Sequence, residues 1–199
     1  MNYILDYKLG NQSSLIRAFQ DIDVEVQSTD DPNKLKDSGL LILPGVGAFR
    51  DAIDFIDNGY RELIYEHVKK GRPLLGVCLG MQLMYEKSYE YGEYEGLGIF
   101  KGEIRKLEKS IKVPHMGWNQ VEFLKEDDIF KYVNSLDYFY YVHSYYKDGI
   151  GPEVIGLTDY GCEIPGVVRR DNVVAFQFHP EKSSKKGIEL LRGVKEALL

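Results

Sequence analysis

The first half of the chain alternates short apolar runs with stretches in which apolar residues recur every three or four positions. Residues 2–6 predict a first strand. Gly10, Asn11, Gln12 and Ser13 follow as a turn, and Leu15, Phe19 and Ile22 then keep helical spacing. Residues 24–26 predict a second strand. Residues 40–43 are a continuous apolar run, the pattern of a strand covered on both faces, and it stops at Pro44-Gly45-Val46-Gly47. Leu63, Ile64 and Val68 predict a helix ending near Gly71. Residues 73–77 predict another strand and residues 81–87 the helix after it. Strand, helix, strand, strand, helix, strand, helix argues for an α/β fold with an open, mostly parallel sheet and helices on both faces. Ligands in such sheets bind beyond the carboxyl ends of the strands. Gly45 and Gly47 stand at one such end and Cys78 at another, so the pattern predicts that they meet in one crevice.

The second half has a different rhythm. Residues 104–107, 111–113, 121–123, 138–145, 153–157, 167–169 and 173–178 read as short strands separated by turn signals. They predict an antiparallel extension of the sheet. Residues 184–199 carry Ile188, Leu191 and Val194 at helical spacing, with Ser183 or Ser184 as N-cap. No repeat, low-complexity tract or linker interrupts the chain, so residues 1–199 are expected to form one domain.

Composition narrows the partners. Hydrophobic residues make up 44% of 199, enough for a sizeable core. The formal net charge is −6 and no basic run is present, which argues against nucleic acid. The longest apolar runs are too short to span a bilayer, and the first residues lack a basic, signal-like opening. A cytoplasmic location is expected. Two cysteines form no disulfide framework, in keeping with a reducing compartment.

The candidate chemistry centres on Gly76-Val77-Cys78-Leu79-Gly80-Met81-Gln82. A nucleophile flanked by small residues at a strand-to-helix junction reads as an elbow, in which glycines permit a turn sharp enough to expose the central side chain. The helix opening behind it favours a thiolate. Phe178-His179-Pro180-Glu181 supplies a base and its orienter at the end of a strand that Pro180 stops. Spacing alone leaves His179 and Glu181 open between this role and an ordinary satisfied histidine. Cys162 reads as inert. No Cys-x-x-Cys or His-x-x-x-His spacing points to a metal.

Taken together, Pro44-Gly45-Val46-Gly47, the Cys78 run and the His179 run resemble the class I (triad) glutamine amidotransferases, in that family's order and over nearly the whole chain. The resemblance implies a flavodoxin-like fold, L-glutamine as substrate and no cofactor or metal. It also implies Cys78, His179 and Glu181 as catalytic residues. The backbone N–H of Leu79 and one from the loop at Val46 and Gly47 would form the oxyanion hole. Gln82 and the backbone at Ser144 and Tyr145 would hold the substrate. Without the family, Gln82 reads as a solvated helix residue and the aromatic run from Tyr138 as core packing.

Pro114-His115-Met116-Gly117-Trp118-Asn119, Gly96-Leu97-Gly98 with Gly102, and His179-Pro180-Glu181-Lys182-Ser183 resemble one branch of that class, glutaminase subunits of histidine biosynthesis. The branch implies a heterodimer with a cyclase subunit, a (β/α)8 barrel that receives the ammonia through a channel. Trp118, Asn119, Tyr140 and Lys182 are the interface candidates, although Trp118 also reads as a core tryptophan. A paralogous branch that supplies a sugar amidotransferase in surface-polysaccharide synthesis would carry the same catalytic motifs. The acidic, aromatic segment 89–95 reads as a solvated loop without a catalytic part.

Overall fold

The computed structural model describes residues 1–10, 12–108 and 110–199, so Asn11 of the expected turn lies outside the described residues. The first half runs β1 (Asn2–Leu5), α1 (Ser13–Gln20), β2 (Val26–Thr29), α2 (Pro32–Lys36), β3 (Leu41–Leu43), α3 (Phe49–Asp57), α4 (Arg61–Lys69), β4 (Leu74–Val77) and α5 (Leu79–Leu83). The second half runs β5 (Lys87–Ser88), β6 (Tyr94–Glu95), β7 (Glu103–Lys106), β8 (His115–Phe123), β9 (Asp137–His143) and β10 (Tyr145–Lys147). It continues through β11 (Val154–Asp159), β12 (Glu163–Arg170) and β13 (Val173–Phe176) to α6 (Ser184–Leu198).

Among the described residues nine strands form one sheet in the order β2-β1-β3-β4-β13-β12-β11-β8-β9. The pairs from β2 to β13 are parallel, and those from β13 to β9 are antiparallel. This is the expected parallel sheet with its antiparallel extension. Alternation explains why β3, β4 and β13 are buried on both faces. Ile42, Leu75, Val174 and Phe176 point into one core with Leu15 and Phe19 of α1 and Leu190 and Leu191 of α6. Leu41, Leu43, Leu74 and Ala175 point into the other, against Leu35, Phe49, Ile53 and Ile64 of α2 to α4.

The structure departs from the pattern at several places. Helices α2 and α3 were not foreseen. Asp31 caps α2 by accepting the Asn33 N–H, and Phe49, Ala52, Ile53 and Ile56 give α3 its buried face. The second strand begins at Val26, because the Val24 N–H closes α1 on the Phe19 carbonyl. The helix expected over 81–87 is α5, which stops at Leu83. Its last carbonyls and those just beyond accept the amides of Leu97, Phe100 and Gly98, so the segment 96–100 supplies bonds that another helical turn would have made. Residues 111–113 form no strand and lead into β8. The strand expected over 138–145 is two strands. At Ser144 the chain leaves the large sheet, its carbonyl accepting the Leu107 N–H, and β10 joins β7, β5 and β6 in a second sheet.

Candidate active site

β4 ends at Cys78, whose backbone sits at φ +47° and ψ −103°. A non-glycine residue held there costs about 1–3 kcal/mol, so its surroundings must impose the conformation. The Cys78 N–H donates to the Phe176 carbonyl at 2.6 Å, and the Cys78 carbonyl accepts the Gln82 N–H at 3.1 Å. A methyl group at Gly80 would collide with the Leu43 carbonyl oxygen, so only glycine lets α5 lie this close to β3. The elbow expected from the glycine spacing is present.

Cys78 is buried, and Gln177 Nε2 donates to its Sγ at 3.6 Å. His179 stands just past β13, its N–H donating to the Tyr140 carbonyl at 2.9 Å. Its Nδ1 donates to Glu181 Oε1 at 2.7 Å, and its ring lines the same cavity as Cys78. Burial alone would lower the pKa of this ring. Cys78 and Glu181 outweigh it and raise the value to about 10, which makes His179 a strong proton acceptor. Ser183 occupies the N-cap position of α6 but spends its hydroxyl elsewhere. Its Oγ donates to the His179 carbonyl at 2.7 Å and accepts the Tyr140 N–H at 2.9 Å, bracing the histidine.

The carboxyl ends of β3 and β4 and the segment after β13 converge on a cavity of about 400 Å³. Gly45, Val46, Gly47 and Leu79 line it beside Cys78 and His179. Gln82, Ser144, Tyr145 and Lys182 line it too. Gln82 is buried rather than solvated, its Nε2 donating to the Tyr145 carbonyl at 2.8 Å and to Gln177 Oε1 at 3.2 Å.

Glu90, His143 and Gln177 were not foreseen at the site. Glu90 lines the cavity, so the segment 89–95 is not merely a solvated loop. Pairing of β5 with β7 and β6 swings it over the mouth, where Glu90 Oε2 accepts the Phe49 N–H at 2.7 Å. Burial raises the Glu90 pKa and Asp51 adds to it, against the lowering effect of the Phe49 N–H. His143 lines the wall and Gln177 reaches the thiol. For Glu90 no local pattern gives a signal. For His143 and Gln177 the signal was adjacency to motifs already marked.

Trp118 is 51% exposed and not a core tryptophan. Its ring meets Tyr140 edge-on at 6.0 Å, and the ladder pairs Met116 with Val142, Trp118 with Tyr140, and Gln120 with Tyr138. Met116 and Tyr138 are likewise exposed. Asn119 turns to the other face, where its Nδ2 donates to the Asp159 carbonyl at 2.9 Å. Lys182 is exposed at the rim. Cys162 is half-buried beside Tyr146, burial raising its pKa. No described helix is long and apolar enough to cross a membrane.

A cysteine elbow, a histidine–carboxylate pair and a glycine loop at the ends of a parallel sheet define a class, and the chain belongs to it: the class-I glutamine amidotransferase family matches residues 3–194. Within the class it falls with one kind of subunit. It is 45% identical over 197 residues to "Imidazole glycerol phosphate synthase subunit HisH" of Caldanaerobacter subterraneus subsp. tengcongensis, covering 98% of this chain and 97% of the relative. It is 45% identical over 198 residues to the subunit of the same name from Aquifex aeolicus, covering 96% and 94%. Among solved structures, "Structure of PurLQS from Thermotoga maritima" superposes with a TM-score of 0.77 at 18% identity, covering 100% of this chain and 98% of the other, a likeness of fold alone.

Proposed function

We propose that this chain is the glutaminase subunit of imidazole glycerol phosphate synthase, acting in the cytoplasm as one amidotransferase domain over residues 1–199. It hydrolyses L-glutamine to glutamate and ammonia for a cyclase subunit. The observation that carries this is that His179, bonded to Glu181, lines one cavity with Cys78 and the Gly45–Gly47 loop.

His179 takes the thiol proton, and Cys78 Sγ attacks the side-chain carboxamide carbon. The backbone N–H of Leu79 and one from Val46 or Gly47 stabilise the oxyanion, each donor worth about 100- to 1000-fold in rate. His179 returns its proton to the departing ammonia, leaving a glutamyl thioester. It then takes a proton from the water that opens the thioester and gives it back to Cys78. Glu181 holds the ring through Nδ1. Gln82 and the backbone at Ser144 and Tyr145 hold the substrate, and the Glu90 carboxylate suits its α-ammonium.

Ammonia freed into water would be protonated and lost. The strip of exposed Met116, Trp118 and Tyr138 with half-buried Tyr140 suits docking of a (β/α)8 cyclase barrel, with Lys182 as a charge contact. Glutamate release by the chain alone and then with the cyclase subunit and its nucleotide ligand tests this. Strong activation by both is expected, with Cys78→Ser inactive but folded. Hydrolysis that ignores the cyclase subunit would move the acceptor to another enzyme, and undiminished hydrolysis by Cys78→Ser would remove the nucleophile.

A further inference from the structure

Two histidines outside the triad lie on the face of the β8–β9 ladder opposite Trp118 and Tyr140, and one of them, His143, lines the cavity. His115 of β8 and His143 of β9 face each other in the ladder and are both buried. His143 Nδ1 lies 2.9 Å from the Tyr145 carbonyl oxygen. A carbonyl only accepts, so Nδ1 carries the proton and Nε2 of the neutral ring offers a lone pair. His115 Nδ1 lies 3.0 Å from that Nε2 and donates to it. His115 Nε2 is then an acceptor, and Asn119 Nδ2 reaches it at 3.4 Å. Burial lowers the pKa of both rings, which preserves the neutral forms that this direction requires. The hydrogen bonds therefore all point inward, from Asn119 through His115 and His143 to the Tyr145 carbonyl. The same carbonyl accepts Gln82 Nε2, and Gln82 donates in turn to Gln177, whose amide reaches Cys78.

We propose that His115 and His143 are positioning residues for glutamine, their one-way hydrogen bonds setting the Tyr145 carbonyl and, through it, Gln82 and the cavity wall. The proposal rests on reading the cavity as the glutamine site. Packing alone does not call for imidazoles. His115 is stacked between the rings of Tyr141 and Tyr160, at 4.5 and 3.8 Å, a slot that phenylalanine fills as well. What phenylalanine cannot supply is the donor, and hydrogen bonds in a buried chain strengthen one another.

Two substitutions separate the roles. His115→Phe keeps the stack and removes the donor. His115→Asn loses the stack but keeps an N–H near the Nδ1 position. With the chain bound to its partner subunit, His115→Phe is expected to raise the KM for glutamine about 5- to 10-fold with kcat within about twofold, the effect of one lost hydrogen bond. His115→Asn is expected to stay within about twofold of wild type. An unchanged KM in His115→Phe, or a larger rise in His115→Asn than in His115→Phe, overturns the proposal. If His115→Phe fails to fold, His143→Gln, which keeps the acceptor and loses the donor, is compared with His143→Asn, which keeps the donor. A higher KM for the Gln variant supports the relay, and the reverse order or equality overturns it. Cys78→Ser in the same assay keeps the two readings apart. Residual hydrolysis there fails the site itself, whereas a dead Cys78→Ser beside an unaffected His115→Phe fails the relay alone.

Discussion

Gly45 stands between the nucleophile and its base, and replacing it with alanine tests whether their separation sets the rate. A β-carbon at this position would lie 2.7 Å from the Val77 carbonyl oxygen, 3.0 Å from Cys78 Cβ and 3.0 Å from His179 Cε1. Carbon atoms in contact rest at about 3.5–4.0 Å, so the elbow and the histidine segment must part by roughly 0.5–1 Å. Gly45 is not among the residues with positive φ, so alanine suits its backbone and the effect is steric. Overpacking of this kind costs about 1–3 kcal/mol. At about 2–4 °C per kcal/mol for a chain of this size, Tm falls by roughly 3–10 °C and the protein remains folded. The rate suffers more, because displacing a reacting group by about 1 Å costs on the order of 100-fold. The assay is glutamate release at saturating glutamine in the complex with the partner subunit, beside thermal unfolding of the same preparation. A kcat within twofold of wild type would refute the reasoning, since the methyl group would then have entered without parting Cys78 from His179.

Two further outcomes follow from the buried ionisable groups. Glu90→Gln should raise the KM for glutamine about 10- to 100-fold with a smaller change in kcat, the loss of one charge-assisted contact to the α-ammonium, and an unchanged KM would remove Glu90 from the site. Burial holds His115 at about 4 and, with the neighbouring His115 adding to it, His143 at about 3, against about 6.5 in an unfolded chain. The unfolded state therefore takes up protons first as the pH drops, so stability is full above 6.5 and is lost as the pH falls toward 4 and then 3. At about 1.4 kcal/mol per pH unit, each ring removes roughly 2 kcal/mol by pH 5. Urea midpoints at pH 7 and pH 5 should differ less for His115→Phe than for wild type, and equal differences would contradict the burial of a neutral imidazole.

Much of the parallel half was readable because its strands are short apolar runs ending in glycine or proline. Residues 40–43 and 73–77 announced β3 and β4, and Gly76, Gly80 and Pro180 marked the sharp turns at Cys78 and His179. The reading failed where the local pattern was short or where a distant segment intervened. α2 is only Pro32–Lys36, and in the expected helix 81–87 the segment 96–100 takes over the carbonyls of α5 and ends it early. The aromatic run 138–145 carried no sign of its break. Ser144 leaves one sheet for another because β7, far back in the sequence, offers the Leu107 N–H.

The chain by itself determined the identity of the reacting groups and the turns that bear them, because both depend on neighbours within a few residues. Gly76 and Gly80 flank the nucleophile within two residues and Pro180 stops its strand through local backbone sterics, whereas the close approaches that demand Gly80 and Gly45, to Leu43, Val77 and His179, arise only in the fold. Only the tertiary structure decided which distant groups share the cavity. Glu90 comes to it on a hairpin, and Gln177 is brought by the parallel pairing of β13 with β4. The hydrogen bonds from Asn119 through His115 and His143 to Tyr145 exist because antiparallel pairing sets residues 115 and 143 opposite each other. Register between strands is fixed by the packing of the whole sheet, which no local pattern of residues contains.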